Sequence, residues 1–138
     1  MSAPVKVTIA GSYRKHFDRI AEAKRAFEAE GAEVLRPRTE EVAASDNELV
    51  RLEGDPDDLR AVREAQFEAI RAADVLYVVN PGGYLGPSAT IEVGYAHRGG
   101  IPVITSEPPF EADVAVLVAA VGSPAQAMER MRRENGGS

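Results

Sequence analysis

Asp74-Val75-Leu76-Tyr77-Val78-Val79, DVLYVV, is the stretch on which the fold of this 138-residue chain turns. It is an unbroken apolar run of strand length, rich in β-branched residues, and such runs mark parallel strands covered on both faces. The reading makes it the central strand of a sheet. Residues 80–100, NPGGYLGPSATIEVGYAHRGG, follow at once. There a glycine-rich loop gives way near Pro87 or Ser88 to a helix carrying Ile91, Tyr95 and Ala96, which Gly99-Gly100 closes.

The same alternation extends in both directions. Val5 to Ala10 is a β-branched strand running into Gly11-Ser12, and Lys15 to Glu30 repeats Phe17, Ile20, Ala21, Ala23 and Phe27 at helical spacing before a Gly31 cap. Ala32 to Leu35 is a short second strand stopped by Pro37. Arg36 to Gly54 mixes charge with isolated apolar residues around one brief candidate strand, Glu48 to Leu52, and reads as a lid or edge hairpin. Asp55-Pro56-Asp57-Asp58 supplies an N-cap, a proline at the first helical position and acidic residues for the dipole, which predicts a helix to about Ala73. Its inward stripe is Leu59, Val62, Gln66, Ala69, Ile70 and Ala73, so one polar residue, Gln66, interrupts an apolar face. Ile101 to Thr105 is the next strand, Ala112 to Val121 is helix or strand, Ser123 to Glu134 is a helix, and residues 135–138 form a disordered tail. These elements predict one α/β domain over residues 1–134, with a mostly parallel sheet of about five strands and helices on both faces.

Composition narrows the partners. Sixteen basic against 22 acidic side chains leave a formal charge of −6, which argues against a nucleic acid duplex or an anionic membrane surface and for a small ligand. The absence of cysteine removes disulfides and thiolate metal sites, and His16 and His97 lie too far apart to suggest a metal site of their own. The acidic cluster at Asp55, Asp57 and Asp58 is better explained by helix capping than by a cation. No secretory layout opens the chain and its longest apolar run, Val114 to Val121, is far short of the ~20 residues of a membrane helix, so the expected compartment is the cytoplasm.

In parallel sheets ligands gather beyond the carboxyl ends of the strands, where neighbouring connections diverge. Two loops qualify. Asn80 to Ser88 carries Gly82, Gly83 and Gly86, which admit close backbone approach, with Tyr84 among them and a helix N-terminus behind. Gly11-Ser12-Tyr13-Arg14-Lys15 offers a hydroxyl, an aromatic ring and two cations, a set suited to a sugar, a base and a phosphate. Glu92 lies in the first two turns of the helix after the Gly-rich loop, where the dipole favours a carboxylate. Taken singly these features also read more plainly, as a flexible crossover, a helix-stabilising glutamate and solvated cations.

Together, GYLGPSATIEVGYAHRGGIPV, the opening VTIAGSYRKHFDRI and the AADVLYVVNP strand resemble the nucleoside 2-deoxyribosyltransferases and the nucleoside 5′-monophosphate N-glycosidases. The resemblance implies a flavodoxin-like fold, no cofactor, and a glutamate, here Glu92, that attacks C1′ and passes the sugar to water or to another base. It further implies that Ser12, Arg14 and Ser88 hold a 5′-phosphate, that Gln66 and Asn80 meet base or sugar, and that a homo-oligomer, at least a dimer, shares its active sites. Gln66 stands where these enzymes keep an acid for the leaving base, and Thr8 where the transferases carry a tyrosine, leaving Tyr13 or Tyr84 to supply a hydroxyl. An amide is no general acid, so a nucleotide-binding domain without turnover is the rival to N-glycosidase and transferase.

Overall fold

The computed structural model describes residues 3–38, 42–46, 49–52 and 58–136. In chain order, β1 (Lys6–Gly11), α1 (Phe17–Ala29) and β2 (Glu33–Arg36) precede a hairpin of β3 (Val42–Asp46) and β4 (Leu49–Leu52). Then come α2 (Leu59–Ala72), β5 (Val75–Val79), α3 (Pro87–Arg98), β6 (Val103–Thr105), α4 (Ala112–Ala115), β7 (Ala120–Val121) and α5 (Pro124–Gly136). The main sheet has the order β2-β1-β5-β6-β7 and every pairing in it is parallel. Counting only those strands, the order is 2-1-3-4-5, the flavodoxin arrangement. β5 is its middle strand and is buried along its whole length, as its unbroken apolar run requires.

Side-chain alternation along the strands feeds two cores. Val7, Ile9, Val75, Tyr77, Val79 and Ile104 pack with Ile20 and Phe27 of α1 and with Met128 and Met131 of α5. On the other face Ala10, Leu76, Val78 and Val103 pack with Ile70 of α2 and with Ala89, Val93 and Ala96 of α3. Phe27 meets Tyr77 edge to face, with centroids 5.0 Å apart, and the Tyr77 hydroxyl donates to the Gly122 carbonyl at 2.8 Å. Burial raises the pKa of that phenol, which keeps it a donor.

Local chemistry shifts some boundaries. The stretch expected to be a lid or edge hairpin does pair antiparallel, β3 with β4, as a separate two-stranded sheet; Glu48 lies outside the described residues. Asp55, Pro56 and Asp57 also lie outside them, and α2 starts at Leu59 because Asp58 is the residue whose carboxylate accepts from the Ala61 amide, at 3.0 Å. Leu59, expected to point inward, is at the very start of the helix and 61% exposed, so the inward stripe begins at Val62. Ala112 to Val121 holds both predicted alternatives in turn: Val114 of α4 joins the second core, and Ala120 of β7 pairs with Ile104. The last helix runs two residues beyond Glu134 to Gly136; Gly137 and Ser138 lie outside the described residues. Among the described residues no helix is long and apolar enough to cross a membrane.

Phe27 is fully buried and bridges α1 to the central strand. Phe27→Ala is expected to cost about 3–5 kcal/mol, seen as a lower urea midpoint at an unchanged slope.

Candidate functional site

β1 and β5 pair in register from Val7 opposite Val75 to Gly11 opposite Val79, so both strands end level. The chain then parts. After β1 it turns into α1 against one core, and after β5 into α3 against the other, which opens a crevice between the two loops. Gly11 has φ 145°, and a Cβ there would stand 2.7 Å from the Val79 carbonyl oxygen, so close approach of the two strand ends requires glycine. Ser12, Arg14 and Lys15 line one wall of the crevice, and Tyr84, Gly86 and Ser88 the other.

The Gly-rich loop is fixed from behind. Asn80 is buried, and its Oδ1 accepts from the Ser106 hydroxyl and the Glu107 amide, both at 3.0 Å, while Nδ2 donates to the Glu107 carbonyl at 2.8 Å. Gly83 has φ 87°, and a Cβ on it would lie 2.6 Å from the Pro108 carbonyl, so it too is turned to the 106–110 loop. Asn80 and Gly83 therefore shape the loop from its far side rather than line the crevice. Tyr84 does line it, half-exposed, with Phe110 stacked on it at 6.4 Å and Lys15 Nζ 5.4 Å from its ring centre. Tyr13 packs against the first core and donates its hydroxyl to the Ile9 carbonyl at 2.7 Å, which takes it away from the cleft. The Ser12 hydroxyl accepts from the Lys15 amide at 3.1 Å and steadies the turn. Thr8 donates to the Ala69 carbonyl at 2.7 Å, so the hydroxyl in the first strand holds α2.

Pro87 at the first position of α3, with Gly86 as its cap residue, sets Ser88 at the cleft and Glu92 one turn deeper. Glu92 is 4% exposed. Its Oε1 accepts from Gln66 Nε2 at 3.1 Å and its Oε2 from Arg63 Nη1 at 2.5 Å. The other terminal nitrogen of Arg63, Nη2, donates to Ser88 Oγ at 2.9 Å, so a single guanidinium spans the step from the cleft to the carboxylate. Gln66 accepts at Oε1 from Arg36 Nε at 2.8 Å and gives its amide also to the Ile9 carbonyl at 3.3 Å. Its polar atoms thus serve the glutamate and the scaffold around it. Behind Arg63 lies Phe67, 5.5 Å from ring centre to Cζ, which stacks in turn on Tyr95 of α3 at 4.3 Å.

Arg63 and Arg36 are the members that sequence reasoning missed. The signal for Arg63 was its position three residues before Gln66, on the rim of the same helix stripe. The signal for Arg36 was its place at the carboxyl end of a parallel strand, the same edge that selected the two loops.

Burial raises the Glu92 carboxyl above the ordinary carboxylate range, against the downward pull of Arg63, of the Gln66 hydrogen bond and of Arg36. Because Arg63 favours the charged form, Arg63→Met should move the Glu92 titration further up. Carbon-13 NMR of the side-chain carboxyls would follow it; an unmoved or lowered midpoint contradicts the assignment of this ion pair.

No family model and no curated protein matches the chain. Solved structures do. A conserved protein from Enterococcus faecalis V583 is similar over 96% of this chain and 99% of that one, with TM-score 0.65 and 17% identity. The CMP N-glycosidase BcmB of Clostridium botulinum is similar over 94% and 98%, with TM-score 0.58 and 14% identity. The 2-deoxyribosyltransferase of Bacillus psychrosaccharolyticus is similar over 90% of each chain, with TM-score 0.57 and 16% identity. The five parallel strands and their order make this a flavodoxin-like α/β fold, and it is the fold that the chain shares with these three structures.

Proposed function

We propose that this domain is an N-glycosidase acting on a nucleoside 5′-monophosphate or a close analogue, with Glu92 as nucleophile. The observation that carries the reading is a buried carboxylate one helical turn, about 6 Å, below a cleft walled by Arg14, Lys15 and Ser88. A ribose ring separates the 5′-phosphate of a nucleotide from C1′, and the one-turn step along α3 from Ser88 to Glu92 is on a similar scale. Its fold is that of a CMP N-glycosidase, which lends the reading further support.

In the first step a Glu92 oxygen bonds to C1′ as the bond from C1′ to the base nitrogen breaks, and the electron pair leaves on that nitrogen. Gln66 holds no transferable proton, so the leaving nitrogen takes one from water. The resulting hydroxide attacks C1′ and releases Glu92 as a carboxylate, with one water consumed overall. Gln66 keeps the carboxylate oriented through its amide. The alternative with its own observation is nucleotide binding without turnover, since both Glu92 oxygens are engaged and an amide replaces an acid. The transferase reading differs only in the acceptor, a second base in place of hydroxide.

The proposal includes a soluble cytoplasmic protein that assembles at least as a dimer with shared sites. α2 and α3, which carry Arg63 and Glu92, expose Leu59 (61%) and Ile91 (52%), apolar surface that a partner would cover.

A panel of nucleosides and monophosphates, with free base measured by chromatography beside thermal-shift binding, separates the readings. Base release from a monophosphate is expected, falling roughly 10³-fold or more in Glu92→Ala while the thermal shift with inorganic phosphate persists. A thermal shift with no base released favours the binder, and exchange on adding a free base favours the transferase. Because the nucleophile must be ionised and its carboxyl is raised, the rate should climb with pH through a midpoint above the usual ~4.3 of glutamate.

A further inference from the structure

Arg63 divides its guanidinium between the two halves of the site. Nη1 holds Glu92 Oε2 at 2.5 Å and Nη2 holds Ser88 Oγ at 2.9 Å. Gln66 takes the other oxygen of Glu92, so the carboxylate has no oxygen without a donor. A carboxylate held this way is a poor nucleophile: its charge is paired to a cation, and the guanidinium stands between it and the cleft wall formed by Ser88. The bond to Ser88, by contrast, joins a cation to a neutral hydroxyl and is the weaker of the two.

A phosphate in the cleft changes that balance. A planar guanidinium presents parallel N–H pairs that match a phosphate in bidentate fashion, so a dianion that displaces the hydroxyl from Nη2 also competes with the singly charged carboxylate for Nη1. Phe67 lies behind the guanidinium and Tyr95 behind Phe67, so a flat apolar support backs the group as it turns. We propose that Arg63 makes cleavage conditional on the 5′-phosphate: a phosphate monoester at Ser88 draws the guanidinium off Glu92 and frees the nucleophile. Arg63 is then a specificity-determining residue that acts through Glu92, and discrimination against unphosphorylated nucleosides is expressed in kcat more than in KM. The inference rests on the N-glycosidase reading and adds to it the way in which substrate class is selected.

The test compares the wild type with Arg63→Met and Arg63→Lys on a nucleoside 5′-monophosphate and on the matching nucleoside. In the wild type, inorganic phosphate added to the nucleoside reaction should raise kcat roughly tenfold, a usual size for coupling between two sites. In Arg63→Met, assayed at a pH above the Glu92 midpoint of both proteins, that stimulation should vanish, the basal nucleoside rate should rise and the preference for the monophosphate should shrink through kcat. Arg63→Lys should restore part of the stimulation. Equal losses on both substrates with the preference kept would overturn the proposal, as would phosphate stimulation of wild-type size in Arg63→Met. A readout without turnover stands beside it: sulfate, a dianion throughout the range, should raise the Glu92 titration midpoint clearly more in the wild type than in Arg63→Met, and equal shifts overturn the proposal. Absence of base release from every monophosphate defeats the N-glycosidase reading instead, and the sulfate titration still decides the role of Arg63.

Discussion

Burying the charge of Glu92 is the demand around which one end of this molecule is arranged. A lone ionised carboxylate moved into a medium of low dielectric costs on the order of tens of kcal/mol, so it persists only where donors and opposite charge replace water. Here they come from two elements: Arg63 and Gln66, one turn apart on α2, donate to the carboxylate, and Arg36 at the end of β2 adds charge and holds Gln66, while Ser88 on α3 accepts from the other nitrogen of Arg63. The unit as a whole fixes how α2 and α3 lie over the carboxyl edge of the sheet. Removing one member leaves another buried group without its partner.

The sheet makes this meeting possible. Two parallel strands that end level, with connections departing to opposite faces, leave a crevice that neither connection fills. One wall carries cations and the other a helix start, and the loop between β5 and α3 is tied to the 106–110 loop by Asn80. Positioning is therefore done by backbone and by buried side chains, and the cleft itself is lined by cations and hydroxyls.

What could be read from the sequence followed from period and punctuation. DVLYVV announced a strand covered on both sides, and β5 is buried throughout; the Gly11 and Gly31 breaks placed the first strand and helix within a residue or two. Glu92 and Gln66 stood out because a carboxylate near a helix start and an amide within an apolar stripe are conspicuous, and the two do touch. The rest depended on long-range contact. Arg63 looks like any rim cation until α3 is packed against α2, and Arg36 like any strand-end charge until β2 is placed beside β1. Asn80 and Gly83 were chosen for the right loop, but which way each faces is set by the 106–110 segment, distant in sequence. α2 begins at Leu59 because the Asp58 carboxylate takes the Ala61 amide, a contact that the run of three aspartates at 55, 57 and 58 does not single out in the sequence.

The Phe67 and Tyr95 rings, stacked nearly parallel at 17°, form the joint between the helix that carries Arg63 and the helix that carries Glu92. Neither ring lines the cleft. Their thickness nevertheless sets the spacing of the ion pair, and reacting geometry is unforgiving, with a misplacement of about 1 Å able to cost ~10²-fold in rate. The joint thus works as a spacer. Side chains of another thickness at these two positions would retune the distance from guanidinium to carboxylate with every reacting group left in place, a route by which related chains could diverge in substrate choice while their clefts stay alike.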